Sequence, residues 1–138
     1  MEHLEADNWV RLTFWGEAFS PQEAGRRTGL ALTTSNEPGD IASRGRYKGK
    51  PRPYGSAELL VPNTVARNKR MQWLRNLTVN HMGELRACGA TDMVVDLTVL
   101  NSVQGNWELD QLEIEALASL NVPLSITICQ PDEEDERV

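Results

Sequence analysis

Three stretches of this chain alternate apolar and polar side chains, and one longer stretch repeats its apolar residues every three to five positions. In Asn8–Glu17, Val10, Leu12 and Phe14 alternate with Trp9, Arg11, Thr13 and Trp15. Successive side chains of a strand point to opposite faces, so the first set predicts an inward row. Trp9 and Trp15 then share the outer face, where a second layer or a partner would cover them. Thr91–Asn101 carries the strongest strand signal, with Met93, Val95, Leu97 and Val99 on one face and Val94, Asp96, Thr98 and Leu100 on the other. Val122–Cys129 is the last strand, with Leu124, Ile126 and Ile128 alternating. The longer stretch is Val65–Cys88. There Met71, Trp73/Leu74, Leu77, Met82, Leu85 and Cys88 form one helical stripe, and five arginines and lysines occupy the other faces.

Capping and turn residues complete the pattern. Ser20-Pro21-Gln22-Glu23 is a helix start with a capping box, and Gly29 is a left-handed stop. Asp110-Gln111-Leu112-Glu113 is a second capping box, opening a helix to Leu120. Thr33–Asp40 has loop composition, Ile41–Lys50 and Arg52–Leu60 read as a hairpin, and Pro62-Asn63-Thr64 breaks the chain before the long helix. The order β-α-β-β-α-β-α-β predicts an α+β fold, a single-layer, mostly antiparallel sheet with helices packed on one face. One domain is expected over 1–130, followed by an acidic, disordered tail over 131–138.

Charge changes this picture. Twelve of the fourteen Lys and Arg residues lie between Arg26 and Arg86. Against four acids they give that segment a balance of +8, between ends of −4 and −10. Arg44, Arg46, Lys48, Lys50 and Arg52 recur at every second position. An extended strand would put all five on one face. With Tyr47 and Tyr54 they are the candidate partner-binding residues. Arg and Tyr suit interface hot spots, and opposite charge speeds docking.

Other chemistry finds little support. No apolar run nears the ~20 residues of a membrane span, and Met1–Val10 has no signal-peptide core, so a cytoplasmic protein is expected. Cys88 and Cys129 read as reduced thiols, and with His3 and His81 they have no metal-site spacing. There is no phosphate loop and no nucleophile elbow. Asp96 reads as a solvent-facing or salt-bridged sheet residue, and His81 as a packed or interfacial one. No catalytic residue, cofactor or metal is expected.

Leu109-Asp110-Gln111-Leu112, Leu117, Leu120, Asn121 and Leu124–Ile128 resemble the ending of a bacterial family catalogued as domain of unknown function 4279. The N-terminal half is similar too: a strand, Ser20-Pro21-Gln22-Glu23, Gly29-Leu30, then a basic glycine-bearing hairpin. Tyr54-Gly55 stands where members often carry a tryptophan. The family has no established general activity. Some members look like immunity proteins of toxin systems, which implies protein binding rather than catalysis. The expectation is a non-enzymatic domain that binds a protein, as an immunity or inhibitor protein does. Nucleic-acid binding through the same hairpin is the alternative, and a small enzyme comes third. Self-neutralisation of the cations by Glu113, Glu115 or Asp132–Glu136 is the rival to any docking role. The mirror surface, Glu108, Asp110, Glu113, Glu115 and the tail, would suit a basic partner. Exposed Trp9 and Trp15 would point to a homodimer.

Overall fold

The inward row of the first strand organises everything around it. In the computed structural model, which describes residues 7–100 and 107–129, β1 (Asp7–Gly16) is the middle strand of five. It follows β1 that β2 (Thr33–Asn36), β3 (Gly55–Leu60), β4 (Asp92–Leu100) and β5 (Leu124–Cys129) assemble in the order β2-β3-β1-β4-β5. All pairs are antiparallel except β4 with β5. Val10, Leu12 and Phe14 are buried, as are Met93, Val95, Leu97 and Val99. Four helices, α1 (Pro21–Thr28), α2 (Arg70–Thr78), α3 (Met82–Ala87) and α4 (Gln111–Leu120), lie over that row. They supply Ala24, Met71, Leu74, Met82, Leu85, Ala116 and Leu120 to the same core. The fold is α+β, with its helices on one face of the sheet. The segment 131–138 and the end of the predicted strand at Asn101 lie outside the described residues.

The caps behave as local chemistry dictates. Ser20 Oγ accepts from the Glu23 N–H, and Gly29 ends α1 with φ 75°. The Glu23 carboxylate does not close the box; Arg26 and Arg27 pair with it and hold its pKa low. At α4 both halves form: Asp110 Oδ1 accepts from Glu113 N–H and Glu113 Oε1 from Asp110 N–H, each at 2.8 Å. Glu113 is buried there, and desolvation pushes its carboxyl pKa up.

Two elements differ from expectation. The strand paired outside β3 is Thr33–Asn36, taken from the expected loop, whereas Ile41–Lys50 makes only isolated bridges, Ile41 with Pro51 and Ala42 with Lys48. Pro51 and Pro53 cannot donate to a ladder, and Gly45 and Gly49 turn left-handed at φ 83° and 78°. The expected helix Val65–Cys88 is α2 and α3, led in by a 3-10 turn at Arg67–Lys69 and divided by another at Val79–His81. Thr78 bonds back to the Leu74 carbonyl at 2.8 Å, an arrangement that bends helices, and β-branched Val79 follows it. The lead-in has no side-chain cap and is held by Arg70 instead. Its guanidinium donates to the carbonyls of Val65 and Asn63 and to both oxygens of Asn8, tying α2 to the start of β1.

Glycines permit the closest backbone contacts. A Cβ on Gly55 would lie 1.9 Å from the Phe19 carbonyl oxygen, and one on Gly16 2.1 Å from that of Gly89. These approaches fold residues 16–19 back so that Phe19 meets Phe14 edge-to-face, ring centroids 5.4 Å apart. Gly55→Ala and Gly16→Ala are each expected to lose about 1–3 kcal/mol or more through overpacking. Gly83→Ala, with open space around it in α3, is expected to gain about 0.4–1 kcal/mol. Urea unfolding of the three variants checks the contrast. Arg70 is only 5 % exposed, so Arg70→Met strands buried carbonyls. A loss of at least about 3 kcal/mol is expected in the same assay, at about 1–3 kcal/mol per unsatisfied group.

Candidate interaction surface

The helices cover one face of the sheet, and among the described residues no element covers the other. Register places Trp9 beside Thr98, Arg11 beside Leu60 and Asp96, Thr13 beside Glu58 and Val94, and Trp15 beside Ser56 and Asp92 on that open face. Both tryptophans are half-buried by their neighbours. Two shallow grooves result. One, about 360 Å³, is lined by Trp9, Arg11, Leu60 and Thr98. The other, about 320 Å³, is lined by Thr13, Trp15, Tyr54 and Ser56.

Between the grooves sits a polar cluster. Asp96 accepts a hydrogen bond from Thr13 Oγ1 at 2.7 Å. Arg11 lies 3.7 Å from Asp96 and 3.6 Å from Glu58, ion-pair distances too long for hydrogen bonds. Its Nε is shielded from water yet has no hydrogen-bond partner. Asp96 is thus the salt-bridged sheet residue its sequence position implied. Asp92, on the same face, bonds instead with Thr91 Oγ1.

The basic segment continues this surface. Ala42 anchors it, buried, donating its N–H to the Lys50 carbonyl and accepting from the Gly49 N–H. Arg44, Arg46, Lys48 and Lys50 are exposed and Arg52 half-buried. Arg44, Arg46 and Lys50 lie in bends and turns, Lys48 in an isolated bridge and Arg52 in irregular chain, so the five do not form the single-faced ribbon that an extended strand would give. Tyr47 and Tyr54 do come together, edge-to-face with centroids 6.2 Å apart, and Arg46 sits over the Tyr47 ring at 5.8 Å. Tyr54 in turn lines the Trp15 groove. An aromatic path therefore runs from the sheet into the cationic loop. Trp9, Arg11 and Trp15 were visible in the alternation of β1, but their continuity with Tyr54 and Tyr47 depends on the course of the loop.

Self-neutralisation by helix acids does not occur. Glu113 is committed to Asp110, and Glu115 accepts from Gln111. None of the five loop cations forms an ion pair with a described residue. The stretch Asp132–Glu136 lies outside the described residues.

Other sites offer less chemistry. The cleft between α1 and β2, about 540 Å³, holds Glu37 and Asp40. Glu37 accepts from the Gln22 N–H at the start of α1, and Asp40 from the Glu37 N–H. Both carboxylates serve the backbone. His81 is half-buried at the start of α3. Among the described residues no cluster of three or more His, Cys, Asp or Glu could hold a metal ion, and no helix is long and apolar enough to cross a membrane. The chain matches no family model, no curated protein and no solved structure.

Reversing Arg46, Lys48 and Lys50 to Glu together is expected to leave folding stability within about 0.5 kcal/mol per site, the range for unpaired surface positions. A larger loss in thermal or urea unfolding would show that these cations are neutralised within the chain.

Proposed function

We propose that this protein is a non-enzymatic binding domain whose partner is another protein. It docks on the open sheet face and the adjoining loop. The observation that carries this reading is a strip of two grooves, one holding Trp9 and Arg11 and the other Trp15 and Tyr54, linked through the Arg11–Asp96–Thr13 cluster and continued by ring contacts to Tyr47 and Arg46. Trp, Tyr and Arg are the residues that dominate interface energies when a partner covers them. The grooves are shallow and lie at the small end of ligand pockets, which favours a broad contact over an enclosed small molecule. The charges are unevenly spread along the strip: the sheet carries three carboxylates, Glu58, Asp92 and Asp96, against the single cation Arg11, and the loop carries the other cations. A protein can match both signs. A nucleic-acid strand stacked on the tryptophans would run its phosphates past three carboxylates, so that alternative is the weaker one.

No family model matches the chain; the motif likeness at Ser20–Glu23 and Leu109–Ile128 to a family with immunity-like members is what suggests, within this proposal, a cytoplasmic inhibitor of a toxin or other macromolecular target. Affinity capture from the native host, with neighbouring genes inspected for a toxin, identifies the partner. Trp15→Ala is expected to weaken that complex by about 2 kcal/mol or more, roughly thirtyfold in Kd. The Arg46/Lys48/Lys50→Glu triple variant is expected to abolish it, with folding intact by circular dichroism. Unchanged affinity in both variants would sink the proposal. Titration with DNA and RNA at two salt concentrations is expected to show no salt-dependent binding.

A further inference from the structure

The sheet has two unlike edges. β2 is four residues long, its register against β3 shifts between Thr33 and Asn36, and Thr34 holds φ 48°. A short, irregular edge of this kind offers little ladder to another strand. β5 presents six residues, Leu124–Cys129, in unbroken register with β4. It contains no lysine, carboxylate or proline, the residues that usually blunt an edge. Its outer side pairs with nothing among the described residues. Ile126 and Ile128 are 51 % and 67 % exposed, although their β4 neighbours Leu97 and Val99 are each only 1 % exposed. Beside the start of β5 a groove of about 590 Å³ is lined by Ile114, Leu117, Val122 and Pro123.

We infer that β5 is the interface of a homodimer. It pairs antiparallel with β5 of a second copy across a two-fold axis perpendicular to the sheet. Such an axis keeps both sets of helices on the same side, so opposed residues must belong to the same face. With Ile126 on the axis, Leu124 of one copy faces Ile128 of the other, and Ser125 faces Thr127. Every pair on the helix side is then apolar and every pair on the open side is hydroxyl against hydroxyl, both favourable cross-strand matches. The strand is complementary to itself, which is what a closed two-fold contact requires.

Charge agrees with this occupant. No ionised groups oppose one another along β5. The two Cys129 residues end about 20 Å apart along an antiparallel pair at ~3.4 Å per residue. The open faces of both copies stay free and point the same way, so this interface is independent of the docking strip.

Light scattering or sedimentation of the full chain tests it. The wild type is expected at twice the chain mass. Ile126→Lys, which sets two ammonium groups against each other on the axis, is expected at the mass of one chain with a native circular-dichroism spectrum, and with a melt that no longer rises with protein concentration. In a Cys129→Ser background, Ile126→Cys is expected to oxidise to an intermolecular disulfide, whereas Ser125→Cys is not. A wild type that stays monomeric up to the millimolar range overturns the inference. So does a dimer that survives Ile126→Lys, or one lost instead in Trp15→Ala, which would move the contact to the open face.

Discussion

Burial of Val10, Leu12 and Phe14 is the interaction on which the rest of this structure depends. β1 is the central strand, flanked by β3 and β4, so its inward row sits at the middle of the face that the helices cover. Each fully buried side chain of this kind contributes about 1.5–3 kcal/mol. Three of them rival the entire net stability of an ordinary domain, about 5–15 kcal/mol. The alternation that drives these three inward also drives Trp9, Arg11, Thr13 and Trp15 outward. The core and the candidate docking surface are two sides of one strand.

Keeping that row dry demands closure at both ends of β1. At one end Arg70 spans the gap between α2 and Asn8, replacing a helix cap with a many-armed side chain. At the other, Gly16, Gly55 and Gly89 let backbones approach so closely that Phe19 can reach Phe14. Neither device is a hydrophobic contact, yet each places one.

The charge distribution acquires a different meaning on this frame. In the linear chain the five alternating cations look like a uniform stripe. In the fold they splay from a loop that Gly45, Gly49, Pro51 and Pro53 keep out of the sheet. The sheet beside them carries carboxylates. The surface has both signs and an aromatic seam between them, which suits the irregular face of a protein better than the uniform field of phosphates.

Sequence periodicity and caps were enough to determine the α+β class, the inward rows of β1 and β4, the start and stop of α1, and the complete capping box of α4. All of these rest on interactions within a few residues or on a strict two-residue alternation. Other features required the tertiary structure. Thr33–Asn36 has the composition of a loop and becomes a strand only because β3 offers it an edge. The long apolar stripe does not reveal that Thr78 and Val79 will divide the helix. Leu124, Ile126 and Ile128 alternate as a buried strand should, yet two of them are exposed, because their position at the sheet edge, not their pattern, decides what covers them. Tyr47 and Tyr54 stand out in the sequence of the basic segment, but the place of Tyr54 beside Trp15 depends on the course of the loop. Local pattern fixes which way a side chain points on its own element; only the packing of distant elements decides what it finds there.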